Sequence, residues 1–221
     1  MLCARPEQRI DSLPSNRWRR LFRTAGLVGL VAVLLTAVFH RSLLRGVARL
    51  WVVKSSVEQA DVIAVGSNAS DMVFRQALTW YREGRAPRIA LLPSFTRPTD
   101  KVGITESTAE GRVRELLAAG VPAENFSLVG RELFTFHDSF CALRDWSRSN
   151  QVRHILMPIS PFASRRGAWV ARRILDPVGV QITVVAVTVP GYSVDEWWRT
   201  EAGLMGFENE AVLMVDNWCR Y

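Results

Sequence analysis

The side chains able to do chemistry in this 221-residue chain gather in a few short polar stretches. His137 and Asp138 are adjacent, an imidazole beside a carboxylate, which is the minimal equipment for acid-base work near neutral pH. Ser160 stands just before Pro161 and the doublet Arg165-Arg166. A serine becomes a nucleophile only with a base beside it and is otherwise a hydrogen-bond donor. Arg165 and Arg166 open a helical pattern, where cations oppose the helix macrodipole by about 0.3 kcal/mol or more. An anion held by these guanidinium groups and the free helix N–H groups would offset that penalty; pairing with an acidic neighbour or plain solvation would offset it equally. Asn68, Ser94, Glu106 and Thr135 complete the polar set. Thr135 has the type and place of a helix N-cap. Glu106 either pairs with an arginine across a cleft or favours its own helix start. His154, set in an apolar run, reads as a satisfied core histidine, and Arg172 and Arg173 as helix-surface charges with Asp176 in reach.

Established motifs are absent. The chain has no GxSxG elbow, no GxxxxGK[ST], no GxGxxG, no HExxH and no CxxC. Serine hydrolase, P-loop, dinucleotide and zinc chemistry therefore lack their sequence signatures, and no metal ligand set is predicted.

The elements that must position these residues alternate regularly. DVIAVG at 61–66 reads as a buried strand, and 67–83 carries Val73, Ala77, Trp80 and Tyr81 at helical spacing until Gly84 and Pro87 stop it. RIALLP at 88–93 is a second strand. Ser107 and Glu110 have capping-box spacing for a helix that Gly120 and Pro122 end. FSLVG at 126–130, a helix over 135–146, RHILMPIS at 153–160, a helix over 164–175 and QITVVAVTV at 181–189 continue the series. A long last helix is predicted from near Ser193. Strand-helix alternation of this kind implies parallel strands, right-handed crossovers and a three-layer α/β/α domain with a mostly parallel sheet. Ligands in such sheets sit beyond the carboxyl ends of the strands. The polar stretches above fall there: Gly66 to Asn68, Ser94 and Phe95, Arg131 to Asp138, and Ser160 to Arg166.

Several residues in this frame resemble a known bacterial group. Ala60 to Gly66, then Arg75, Ala77, Trp80-Tyr81, Gly84, Ala86 and Pro87, is similar to the opening of the YdcF-like domain shared with the SanA and ElyC envelope proteins. Gly120-Val121-Pro122, Thr135, Ser160-Pro161-Phe162 with Arg166, Trp197-Trp198 and Asn209-Glu210 agree in order, so the resemblance covers roughly residues 58–221. It implies a Rossmann-like fold, a setting in cell-envelope or peptidoglycan homeostasis, and ligand-facing places for Arg75, Thr135, Ser160 and Arg166; with Asn68, Ser94, Glu106 and Asp138 from the polar stretches above, these make the candidate ligand site. Arg75, taken alone, is an ordinary surface charge; its ligand-facing role comes from the resemblance. The ligand class that suits arginines beside helix N-termini is a small anion, phosphorylated or nucleotide-like. S-adenosylmethionine binding is associated with the family, but no methyltransferase glycine motif is visible, and no cofactor is assigned. The chain departs from the family at Gly66-Ser67-Asn68 and Ser94-Phe95-Thr96, where glycine-rich turns are usual, and at His137-Asp138, where an acidic-Asn pair is usual. Ala163 replaces a common histidine, which impairs any reaction that needs that imidazole. A non-catalytic scaffold or assembly factor with a degenerate site is the competing expectation, and whether the chain is an enzyme stays open.

The N-terminal region adds the location. Ala25 to Phe39 is uninterrupted and apolar, roughly 23 Å of helix; with Leu21, Phe22 and a snorkelling Arg23 the run 21–39 nears the hydrocarbon thickness of about 30 Å. His40-Arg41-Ser42 follows without a small-x-small cleavage site, so an uncleaved single-pass anchor is expected rather than a discarded signal. The formal charge of +7 belongs to this region: ten Lys/Arg face Glu7 and Asp11 before Ser55. The remainder is nearly neutral, which removes the main support for nucleic-acid binding. The expected organisation is a basic cytoplasmic segment 1–20, a transmembrane helix 21–39, a membrane-proximal linker 40–57 and an α/β domain 58–221. The tighter arginine cluster comes first, which leans the N-terminus inside, at the plasma (inner) membrane, and the domain outside. Its partners would be the lipid bilayer and an anionic envelope precursor or nucleotide-like small molecule. Cys3 then lies across the membrane from Cys141 and Cys219, which read as two buried free thiols.

Overall fold

The computed structural model describes residues 16–221. Residues 1–15, with Cys3, Glu7, Asp11 and most of the expected basic segment 1–20, lie outside the described residues. The chain divides into two units at Leu44/Arg45. Helix α1 (Asn16–Trp51) includes the apolar run, is long and apolar enough to cross a membrane, and has a mean hydropathy of 2.1 in its most apolar window, none of it buried. The helix passes Phe39 and ends only at Trp51, so most of the expected 40–57 linker is helical; nothing between Phe39 and Trp51 breaks it, because Gly46 is the lone weak helix former.

The second unit alternates as the pattern required. Its elements are β1 (Val62–Gly66), α2 (Asp71–Arg82), β2 (Ile89–Leu92), the one-turn α3 (Pro98–Lys101), α4 (Thr108–Ala118) and β3 (Phe126–Leu128). These are followed by α5 (Phe136–Ser149), β4 (His154–Ile159), α6 (Ala163–Leu175), β5 (Gln181–Ala186) and α7 (Glu201–Arg220). The five strands form one all-parallel sheet in the order β3-β2-β1-β4-β5, a Rossmann-like α/β arrangement. Several boundaries move: α2 starts at Asp71 rather than at 67, and β3 ends at Leu128, two residues early. Residues 194–199 form a 3-10 segment broken at Glu196 (φ −138°), so the last helix starts at Glu201, capped by the Thr200 side chain, not near Ser193. Strand β5 ends at Ala186, three residues early, where the partner strand β4 also stops.

Both sheet faces are dry. Val62, Ala64, Ala90 and Leu92 point into a core with Phe140, Leu143, Val170 and Leu175 of α5 and α6. Ile63, Val65, Ile89 and Leu91 point the other way, against Phe74, Ala77 and Trp80 of α2 and Leu116 of α4. Alternation within continuous apolar strands is what two-sided burial of a parallel sheet demands.

Asp61 ties the two central strands at their starts. Its Oδ2 accepts from the backbone N–H groups of Arg153 (2.7 Å) and His154 (2.9 Å). Burial pushes this carboxyl up, but those two donors, helped by the charges of His154 and Arg88, outweigh it and hold it below the usual carboxylate range. The folded pKa is thus lower than the unfolded one, so the contribution to stability is present above about pH 4 and is lost as the pH falls through the folded value. Asp61→Asn is expected to cost about 1–3 kcal/mol at pH 7 and to flatten that acid limb, as read by urea unfolding at a series of pH values.

Candidate functional site

Between β1 and β4 the sheet opens. Their pairing covers only Val62 with Ile155 and Ile63 with Leu156, whereas β4 and β5 pair along their whole length. The cause lies in Pro158. The carbonyl of His154 accepts from Asp61, on the β1 side, while those of Arg153 and Ile159 accept from Gln181 and Val187, on the β5 side. By strand alternation Pro158 therefore faces β1, where it has no N–H to offer. β1 and β4 are also the strands at which the order reverses, the place where open α/β sheets bind ligands.

A cleft of about 670 Å³ occupies this opening, a size in the range of small-molecule sites. Its floor is Gly66, Leu92, Met157 and Ile159 from the strand ends, and α7 walls it with Glu210, Leu213 and Asn217. Asn68, Ser94, Thr135 and Ser160, all expected from sequence, line it together with Arg166. Three helices begin at its edge, through Ser70 before α2, Thr135 before α5 and Ala163 as the first residue of α6. Only α5 caps itself: the Thr135 hydroxyl accepts from Asp138 N–H (3.1 Å), and the Asp138 carboxylate accepts from Thr135 N–H (3.0 Å). Neither Ser70 nor Phe162 makes a side-chain cap, and α6 carries no acid in its first turn.

Arg166 is the most committed side chain in the site. It forms a two-point ion pair with Glu210, Nε to Oε2 at 2.7 Å and Nη2 to Oε1 at 3.0 Å, with side-chain exposures of 10% and 13%. Its guanidinium also lies 4.1 Å over the Phe136 ring. The acidic neighbour, not a free anion, is what offsets its place at the helix start. The other cation on the wall, Arg220, pairs with Asp216 at 2.7 Å. Among the described residues no uncommitted cation lines the cleft.

The remaining expected residues are brought elsewhere. Arg75 is exposed on α2, because Val73, Phe74, Ala77 and Trp80 turn the opposite side of that helix to the core. Glu106 pairs with Arg114 at 2.6 Å on the surface. Asp138 serves as the α5 cap. His137 stacks on Tyr221 (4.2 Å between ring centroids) beside a separate depression with Trp169 and Arg173, and His154 meets the Thr183 hydroxyl at 2.8 Å. None of the three histidines lines the cleft. Cys141 and Cys219 are free thiols; burial is the main influence pushing the Cys141 thiol up, but Cys219 is exposed, on the outer side of α7. Arg165 is exposed and donates to the Leu50 carbonyl, and Arg173 lies over Trp169.

Sequence reading missed Arg112 and Tyr192, and it named Glu210 only within the resemblance, with no role in the site. Arg112 fixes the β1–α2 turn by donating to the carbonyls of Ser67 (3.3 Å) and Ala69 (2.8 Å) and pairing with Asp71 (2.9 Å). The Ser94 hydroxyl is held by those of Ser67 (3.1 Å) and Thr108 (2.9 Å), closing the β1, β2 and α4 ends together. The Tyr192 ring stacks on Phe162 (5.0 Å), and burial, with Glu210 nearby, pushes its phenol up to about 12, so it stays a hydrogen-bond donor across the physiological range. The signal for Glu210 was a carboxylate on the face of a helix shared with Gly203, Leu213 and Asn217.

No protein-family model matches the chain, and no curated protein matches it significantly. Its functional reading therefore rests on the cleft.

Proposed function

We propose that this is a membrane-anchored ligand-binding protein whose α/β unit takes a small anionic molecule, phosphorylated or nucleotide-like, in the cleft at the strand ends. One observation carries the reading: the start of α6, without a side-chain cap or an acid in its first turn, opens at the switch point of the sheet. Backbone N–H groups at a helix start favour negative charge without any cationic side chain. The hydroxyl of Ser160 and the amide of Asn68 supply further hydrogen bonds, and Tyr192 stays protonated to donate one. Arg166 acts here as a post that holds α7 against α6 rather than as the anion's partner. With no imidazole on the cleft and both acids of its wall paired, binding is better supported than turnover. The YdcF-like resemblance, a setting in envelope or peptidoglycan homeostasis, and an inner-membrane anchor with the N-terminus inside belong to the same proposal. They are supported by the element order and by the apolar helix.

Titration of the full chain in detergent micelles with inorganic pyrophosphate tests it. Ser160→Asp places a carboxylate where the anion would sit and is expected to weaken binding by about tenfold or more, with an unchanged melting temperature. Equal affinity in the variant, or no binding of phosphate, pyrophosphate or a nucleoside diphosphate by the parent, would overturn the site.

The closed Arg166–Glu210 pair and Ala163 also favour a second reading, a non-catalytic assembly factor. Turnover of phosphorylated precursors that appears only after Ala163→His would support it; turnover by the parent chain would sink it.

A further inference from the structure

We propose that the loops following β2 and β3 form a second membrane contact, an apolar tip that dips into the interface of the bilayer in which α1 is anchored. Phe95, Val102, Ile104 and Phe134 are between 50% and 75% exposed. The two loops are joined: the Phe95 and Phe134 rings stack at 5.8 Å and 11°, and Lys101, next to Val102 in the first loop, pairs with Glu132 of the second at 2.9 Å. These loops are built, not slack. Arg97 donates to the Glu106 carbonyl (3.2 Å) and pairs with Asp100 (3.0 Å), and the Thr105 and Thr99 hydroxyls meet at 2.9 Å. A loop ordered by its own polar groups nevertheless turns Val102 and Ile104 outward, and no part of the unit covers them. Contiguous exposed apolar side chains on an otherwise well-paired surface mark an interaction site.

Two observations name the occupant. The charges beside the apolar tip are paired within the loops, Arg97 with Asp100 and Lys101 with Glu132, which leaves Arg131 as the excess charge, so the rim carries no net negative charge to oppose the boundary between acyl chains and headgroups. The α/β unit also begins at this same edge of its sheet. Trp51 Nε1 donates to the Phe162 carbonyl (2.9 Å), Val53 N–H donates to the Ser164 hydroxyl (2.9 Å), and Arg49 pairs with Asp195 (2.8 Å), all on segments that follow the carboxyl ends of β4 and β5. The apolar stretch ends at Phe39, a few residues before the unit starts at Arg45, so the chain from the apolar stretch enters the unit at its strand-end edge. The inference rests on α1 lying in a bilayer, and it places the mouth of the cleft, where Phe134 sits, at the lipid surface.

Spin labels on the full chain test this. In a background with Cys3, Cys141 and Cys219 replaced by serine, labels are introduced by Ile104→Cys, Phe134→Cys and, on the opposite edge just before β3, Glu124→Cys. The protein is reconstituted in vesicles of phosphatidylcholine and phosphatidylglycerol. Labels at positions 104 and 134 should collide with oxygen far more than with a water-soluble nickel chelate, and the label at 124 should do the reverse. Nickel accessibility at 104 and 134 equal to that at 124 would overturn the contact. Protection from both reagents would overturn it too, because a protein surface would then cover the loops. Pyrophosphate titration of the proteins labelled at 104 and 124, positions that do not line the cleft, reports the cleft independently, so loss of the tip and loss of the site are told apart.

Discussion

Glu210→Ala is expected to destabilise the α/β unit by about 3–5 kcal/mol, the largest single loss available outside the apolar core. The substitution strands the Arg166 guanidinium, which is 8% exposed as a residue, with only the Phe136 ring beneath it. A buried charge without its partner retains its desolvation cost and loses the compensating attraction, which is why breaking such a pair costs far more than the pair contributes. Arg166→Ala should cost somewhat less, because the carboxylate left behind can take up a proton. The double variant Arg166→Met/Glu210→Leu removes both charges at similar volume and is expected to recover most of the loss. Denaturant unfolding of the full chain in micelles, with Arg166→Ala/Glu210→Ala as the double variant, supplies the cycle, with tryptophan fluorescence as the readout. Additive single-variant losses in the double variant would mean that the two side chains do not act as a pair. Because Glu210 also walls the cleft beside Arg166, Glu210→Ala removes a carboxylate and frees a guanidinium there, so pyrophosphate binding should strengthen at temperatures where the unit stays folded.

Gly203→Ala is expected to cost about 3 kcal/mol or more, although alanine is the better helix former. Gly203 is buried in the first turn of α7, where its N–H donates to the Thr200 hydroxyl at 3.2 Å. A methyl group there would overlap the Trp197 carbonyl oxygen and lie 2.9 Å from the same residue's Cα. These are backbone atoms, so no side-chain rotation relieves the clash. Trp197 would have to move, and with it the aromatic cluster it forms with Phe162 and Phe207, at 6.2 Å and 4.2 Å between ring centroids. Gly206→Ala is the control one turn on: its added methyl would meet Phe162 at an ordinary 3.6 Å, and it is expected to change stability by no more than about 1 kcal/mol. Thermal melts with near-ultraviolet circular dichroism distinguish the two, and equal melting temperatures for both variants would refute the close approach.

How much of the molecule was legible depends on the range of the interactions. Ser107 with Glu110 and Thr135 with Asp138 cap their helices across three residues, so a local pattern carries the information. Gly84 and Gly120 end α2 and α4 with φ of 71° and 82°, again a local demand for the left-handed region. The buried strands announced themselves as short apolar runs between such stops. The site was only partly visible. Asn68, Ser94, Thr135, Ser160 and Arg166 follow strand ends and were placed by topology, whereas Arg75 was drawn in by resemblance and Glu106 by its place at a helix start, and both stand on the outer surface. Asp138 went to the cap instead of the cleft because its carboxylate reaches the N–H of Thr135 before anything else. Glu210 is 44 positions from Arg166, and no spacing rule links a carboxylate on the last helix to a guanidinium on the sixth.

By itself the sequence determined the apolar helix, the alternation of strands and helices, their stops and caps, and the edge of the sheet at which polar side chains collect. Each of these follows from periodicity and side-chain type within a turn or two of the chain. Only the tertiary structure decided that β1 and β4 lie side by side and part beyond Leu156, that α7 walls the resulting cleft, and that Glu210 neutralises Arg166. Those outcomes depend on which distant groups arrive at the same place, and on the cost of leaving a buried charge or a backbone donor without its partner.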